Sequence, residues 1–105
     1  MASGLIAGVA LAASTNTTLY TVPASTLSLV TVRLCNRSTS AVTVRIALSS
    51  SDTPSDGQYI VDELLAPNGG IVHESAITLD AGKKVVVWAS ATGVNANGWK
   101  IEEAA

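Results

Sequence analysis

The sequence contains one histidine, His73, and one cysteine, Cys35, the residue types that most often act as base and nucleophile. Catalysis at His73 would need a nucleophile or a carboxylate held beside it, and its neighbours Glu74 and Ser75 form no catalytic motif with it. Cys35 has neither a CxxC partner nor a helix N-terminus beside it, so we expect it to behave as a small buried apolar residue. The chain is therefore predicted not to be an enzyme, and no residue is assigned to catalysis.

Acidic residues cluster around Gly57 and are the best candidates for metal ligands. Carboxylate oxygens are the ligands that calcium prefers, but the spacing of these acids matches no EF-hand loop. We expect a solvated loop, and we predict neither a metal nor a cofactor. The four acids are Asp52, Asp56, Asp62 and Glu63.

Two tryptophans are the residues best suited to stack on a sugar. Trp88 lies in an apolar run and is predicted to be in the core. Trp99 follows Asn97-Gly98, which is predicted to be a turn, and is the candidate ligand-binding residue. Two tryptophans do not make an aromatic groove, so carbohydrate binding is kept as an alternative.

The composition indicates a single all-β domain over residues 1–105, with 48% hydrophobic and only 13% charged residues. A net charge of −2 argues against a nucleic-acid partner, which would require clustered Lys and Arg. One cysteine cannot form an internal disulfide, so stability must come from packing or oligomerisation, as in a protein folded in a reducing cytosol.

The first thirteen residues are apolar but match neither a signal peptide nor a membrane span. No basic residue precedes Arg33, two glycines interrupt the run, and the run is shorter than the ~20 residues that span a bilayer. We expect no membrane partner. Residues 1–13 are predicted to be either a first strand or an arm that reaches a neighbour, with Leu5 and Ile6 as candidate subunit-interface residues.

Alternating apolar and polar residues, separated by Gly, Pro, Asn and Asp turns, predict about eight strands. This number of short antiparallel strands is typical of a β-sandwich or jelly roll. The predicted strands cover residues 5–12, 18–22, 30–34, 42–48, 58–65, 71–79, 85–90 and 99–102.

Two of these strands carry nearly the same phrase, VTVRL ending at Leu34 and VTVRI ending at Ile46. In each, the valines share one face and Thr and Arg share the other. The polar residues 36–40 between them are turn formers, so the sequence predicts a hairpin.

Two registers of this hairpin keep the apolar faces together. One sets Arg33 opposite Arg45, which is destabilising unless Asp62, Glu63 or another subunit supplies a carboxylate. The other sets each arginine opposite a threonine.

Three stretches taken in order carry a family resemblance: TLYTVPASTLSLVTVRLCNRS (18–38), YIVDELLAPNGGIVHESAITLDAGKKVVVWAS (59–90) and NGWKIEE (97–103). They resemble a small β-sandwich module of tailed-bacteriophage virion proteins, found alone or within larger tail and fibre proteins. The markers are LYTVPA at 19–24, CN at 35–36, LDAG at 79–82 and the valine-rich strand ending AS at 89–90. Where the family often has an acid after the turn glycine, this chain has two lysines.

The resemblance implies a non-enzymatic virion protein, assembled in the bacterial cytoplasm, most simply a capsid decoration or cement protein. Its partners would be further copies of itself and the major capsid protein. A tail, collar or fibre accessory protein is the alternative, and a carbohydrate-binding host-attachment module that uses Trp99 is a third. In this interpretation Arg33 and Arg45 pair with carboxylates of a neighbouring subunit.

Overall fold

The computed structural model describes residues 3–104, which form eight strands and one short 3₁₀ turn, Asp56–Gln58. The predicted strand at 71–79 is confirmed, and each other predicted strand overlaps an observed one. The strands are β1 (Gly4–Ala10), β2 (Thr17–Thr21), β3 (Thr26–Asn36), β4 (Val42–Ser49), β5 (Tyr59–Ala66), β6 (Ile71–Leu79), β7 (Lys84–Ala89) and β8 (Val94–Ala104).

The strands form two four-stranded sheets: sheet 1 with the order β1-β8-β3-β6, and sheet 2 with the order β2-β7-β4-β5. All strand pairs are antiparallel, and β1 pairs with β8, β2 with β7, β3 with β6 and β4 with β5. This is the connectivity of a jelly roll: β4 and β5 form a hairpin within sheet 2, and the strands that lead into and out of this hairpin alternate between the two sheets. The predicted all-β sandwich is confirmed.

The predicted hairpin between the two VTVR strands is wrong. The first lies in β3 of sheet 1 and the second in β4 of sheet 2, so Arg33 and Arg45 are not opposed in any register. The period of two shows which side of a strand faces the core, but a strand of either sheet presents the same pattern. The alternation therefore could not distinguish a hairpin from a crossing between the sheets.

Asn36, at the end of β3, holds this crossing in place. It is buried, and its Nδ2 donates to the carbonyls of Ser40 at 2.8 Å and of Ala66 at 2.9 Å. Its Oδ1 accepts from the backbone N–H and the hydroxyl of Ser38 at 2.9 and 2.7 Å. One side chain thus ties the end of a sheet 1 strand to β5 of sheet 2.

The core lies between the sheets and is built mainly from valine, leucine and alanine. Strand β7 lies between β2 and β4, in the middle of sheet 2. Val85 and Val87 face the core, whereas Trp88 is half-buried on the outer face. The prediction of Trp88 as a core residue is wrong, because an apolar run on both faces does not show which face the large side chain takes.

Asn97-Gly98 is not a turn but lies within β8, which pairs with both β1 and β3. A Cβ at Gly98 would lie 3.1 Å from Ile6 Cδ1 and 3.2 Å from Leu19 Cδ2, so this glycine lets the two side chains approach β8. Residues 4–10 of the N-terminal segment form a strand within sheet 1; Met1 and Ala2 of the predicted arm lie outside the described residues.

Every edge strand contains a β-bulge. The register of β1, β2, β5 and β6 shifts against the neighbouring central strand, whereas the central pairs β3–β8 and β4–β7 are continuous. In β5 and β6 the bulges contain Glu63 and Ala76, which have φ angles of +52° and +59°. Bulges twist an edge away from further pairing, so the four edges are poor templates for an added strand.

Candidate functional site

Among residues 3–104, neither of the two residues best suited to catalysis forms a hydrogen bond with an acid or a nucleophile that would activate it. His73 is exposed on the outer face of sheet 1, where its Nδ1 accepts a hydrogen bond from Arg33 Nε at 3.3 Å. Within residues 3–104, neither Glu74 nor Ser75 forms a hydrogen bond with it. Cys35 is half-buried on the same outer face and not in the core, which corrects the prediction that it would be buried.

The four acids do not converge on a common centre. Asp52 accepts a hydrogen bond from the Thr18 hydroxyl and lies 3.6 Å from Lys84 Nζ. The Thr18 hydrogen bond and, next, the charge of Lys84 lower the pKa of Asp52 below its usual value. In the described part of the chain, no three His, Cys, Asp or Glu side chains are placed to hold a metal ion.

The other two acids surround Arg45 on the outer face of sheet 2. Arg45 Nη2 donates to Glu63 Oε1 at 2.5 Å, and Arg45 Nε lies 3.1 Å from Asp62 Oδ1. The Glu63 hydrogen bond raises the pKa of Arg45 above its usual value. The guanidinium also lies over the Trp88 and Tyr59 rings, at 4.7 and 5.7 Å from their centroids. Arg45 thus already has carboxylate partners in its own chain.

A second polar cluster links the two sheets. The Tyr20 hydroxyl of sheet 2 donates to the Glu102 carboxylate and lies 3.1 Å from Ser28 Oγ, both in sheet 1. Lys100 Nζ lies 3.1 Å from Glu102 Oε2 and 5.0 Å from the Tyr20 ring centroid. Burial, followed by the bond to Glu102, raises the pKa of Tyr20. Only 4% of the Glu102 side chain is exposed, so the cluster joins the sheets and is not open to a substrate.

The outer face of sheet 1 carries a contiguous apolar surface, here named the sheet 1 patch: Leu5, Leu29, Trp99 and Ile101. These side chains are 39–64% exposed. Leu5 is the cross-strand neighbour of Trp99, and Leu29 is the neighbour of Ile101, so the four are contiguous across β1, β8 and β3. Two shallow grooves of about 270 and 110 Å³ lie against them.

The structure brings together three of the five predicted site residues. Leu5 and Trp99 belong to the patch, and Arg33 borders it, with its guanidinium carbon 5.9 Å from the Trp99 ring centroid. Ile6 is half-buried and packs against the core, so it is not part of this surface. Arg45 lies on the opposite sheet.

Sequence reasoning missed Leu29 and Ile101. Both lie on the outer side of their strands, because the residues before and after each of them face inward. On that side a half-exposed strand is expected to carry polar residues. The run Leu27 to Val30, in which apolar residues occur in both phases of β3, was the available signal.

No protein-family model matches the chain, and no curated protein or solved structure does so either. Across residues 3–104, no helix has the length and apolar character of a membrane span. The arrangement of surface side chains is therefore the basis for assigning a function.

Proposed function

We propose that this chain is a non-enzymatic structural protein of a bacteriophage virion, specifically a capsid decoration protein. It assembles as homo-oligomers on the shell, next to the major capsid protein. The single observation that carries the proposal is the sheet 1 patch, a contiguous apolar surface of four exposed side chains across β1, β8 and β3.

An exposed apolar patch of this kind is favourable to bury, since each large apolar side chain contributes about 1.5–3 kcal/mol when it is fully removed from water. The grooves along it, about 270 and 110 Å³, are shallow and smaller than most small-molecule pockets. Such a surface suits a protein partner better than a metabolite.

The fold is consistent with this role, because jelly rolls serve as capsid domains as well as lectin domains. Fold alone does not choose between such functions. The resemblance of residues 18–102 to phage virion modules favours a capsid role over a lectin role.

The copy number of the chain in purified phage particles tests the proposal, measured by quantitative mass spectrometry against the major capsid protein. A decoration protein is expected at a simple ratio to the capsid subunit. A few to a few dozen copies would instead place the chain in the tail, collar or fibres. Absence from the particle would overturn the virion role.

Exposure of Trp99 supports a second candidate, a carbohydrate-binding module for host attachment. A Trp88→Phe variant leaves Trp99 as the sole tryptophan reporter. Saturable quenching of its fluorescence by host surface polysaccharide, absent with an unrelated polysaccharide, would support this candidate. An unchanged spectrum would exclude it.

A further inference from the structure

The way this domain self-associates follows from which of its surfaces remain open. Strand addition at an edge is the usual route by which β-sheets extend between chains. Here each of the four edge strands carries the extra residue of its bulge, so none presents a straight hydrogen-bonding ladder. The faces are therefore better surfaces for association than the edges.

Of the two outer faces, that of sheet 1 has charges without partners. Among the described residues, no carboxylate lies within ion-pair distance of Arg33, and no cation lies within that distance of Glu103. In the β3–β8 ladder Arg33 is opposite Asn97, and Glu103 is opposite Leu27. The two charges thus lie at opposite ends of the sheet 1 patch, roughly 20 Å apart along the strands.

We propose that a second copy of this chain packs on the outer face of sheet 1 around a two-fold axis. The axis lies in the interface and crosses the strands at the Val30–Lys100 pair, midway between the two charges. This inference rests on the proposed function, since it names the first partner of the assembling domain.

This axis makes the face complementary to itself. It reverses the strand direction, so Arg33 of each copy comes to the level of Glu103 of the other. The two residues lie on adjacent strands, β3 and β8, so they are offset by one strand spacing of ~4.8 Å, which an arginine side chain can span. Trp99 of each copy comes over Ile101 of the other. A two-fold axis along the strands would instead bring Arg33 onto Arg33, which like-charge repulsion disfavours.

The face is large enough for a stable pair. The four strands of sheet 1 have 7, 9, 11 and 11 residues, and at ordinary β-sheet spacing they give a face of roughly 600 Å² in plan. Protruding side chains increase that area, and standard protein interfaces bury about 800 Å² per partner.

Sedimentation equilibrium of the purified chain tests the inference, with Ile101→Lys as the disrupting variant. The wild type is expected to be dimeric, and Ile101→Lys should raise the dimer Kd by roughly 100-fold, because a symmetric interface contains each substitution twice. Leu65→Lys on β5 is the matched control: Leu65 is 62% exposed against 64% for Ile101, and its substitution should leave the Kd unchanged.

Charge reversal provides a second test that does not depend on the folding of Ile101→Lys. Arg33→Glu and Glu103→Arg should each weaken the dimer, and the double variant should restore it. A monomeric wild type, a dimer that survives Ile101→Lys, or a double variant as weak as the singles would overturn the inference. A monomer that is nevertheless present in particles at capsid stoichiometry would overturn the dimer while leaving the virion role intact.

Discussion

The outer faces of the two sheets carry the same VTVR phrase but have opposite character. On sheet 2, Arg45 lies between the Asp62 and Glu63 carboxylates and over the Trp88 ring. On sheet 1, Arg33 lies beside the His73 imidazole, Asn97 and the Trp99 ring at the edge of the sheet 1 patch. The arginine of sheet 2 is paired within the chain. The arginine of sheet 1 borders exposed apolar side chains, and no carboxylate among residues 3–104 lies within ion-pair distance of it.

The difference comes from the neighbouring strands and not from the phrase itself. Strand β5 brings two carboxylates to β4, where a left-handed residue at Glu63 forms part of the bulge. Strands β6 and β8 bring His73 and Trp99 to β3. Identical segments thus acquire a stabilising role in one sheet and a candidate association role in the other.

The largest loss of stability should come from a substitution at Asn36, which holds the crossing between the two sheets in place. Asn36→Ala removes four hydrogen bonds of a buried amide and leaves the Ser40 and Ala66 carbonyls without this donor. We expect a loss of about 2–3 kcal/mol in the free energy of unfolding, measured by urea denaturation. Asn68→Ala, in an exposed turn, is the control and should change little. Equal effects would show that Asn36 does not secure the crossing.

A smaller loss of stability is expected from a substitution at Gly98 of β8, which the Ile6 side chain of β1 approaches closely. Gly98→Ala places a methyl group 3.1 Å from Ile6 Cδ1 and should cost about 1–2 kcal/mol of stability through overpacking. Gly57→Ala is the matched control, because nothing lies within 4 Å of its added Cβ. If both substitutions leave the urea midpoint unchanged, the close approach of β1 to β8 is not as described.

The two arginines allow the comparison between faces to be tested with one type of substitution. Arg33→Ala should raise the dimer Kd by about 10-fold, because two symmetric ion pairs are lost, while the stability of the monomer stays nearly unchanged. Arg45→Ala should lower the stability of the monomer and leave the Kd unchanged. Sedimentation measures the dimer Kd of both variants, and urea denaturation measures their stability. If Arg45→Ala weakened the dimer and Arg33→Ala destabilised the monomer, the outer face of sheet 2 and not that of sheet 1 would be the association surface.

The smallest effect concerns pH. The folded state lowers the pKa of Asp52, so its contribution to stability is present above the ordinary value of 3.8 and is lost as the pH falls through the lower folded pKa. Asp52→Asn should therefore be less stable than the wild type at neutral pH, and this difference should disappear in strong acid. Urea midpoints across pH measure it, with Asp56→Asn as the control from the same loop. A difference independent of pH would contradict the assignment.

The sequence was sufficient to predict where eight strands occur, because apolar side chains on one side of each strand must reach the core, but not their full extent: β8 begins at Val94 and not at Trp99. It was not sufficient to assign β3 and β4 to different sheets, since both sheets impose the same alternation. The bulges at Glu63 and Ala76 were also not predictable, because neither position has the glycine that usually marks a left-handed residue.

The candidate surface was predicted only in part. Leu5, Arg33 and Trp99 were recognised as exposed or interface residues, and Asp62 and Glu63 were named as partners for an arginine pair. Their arrangement depends on which strand lies beside which, and that information is in the wrapping of the chain and not in any local pattern.

The central claim is that association buries the outer face of sheet 1, and Trp99 reports on it directly. In a Trp88→Phe background, Trp99 emission should shift to longer wavelength on dilution, with the midpoint that sedimentation gives for dissociation of the dimer. In a Trp99→Phe background, Trp88 emission should stay constant over the same range. A Trp99 spectrum that does not change through that midpoint, or a shift confined to Trp88, would contradict the account.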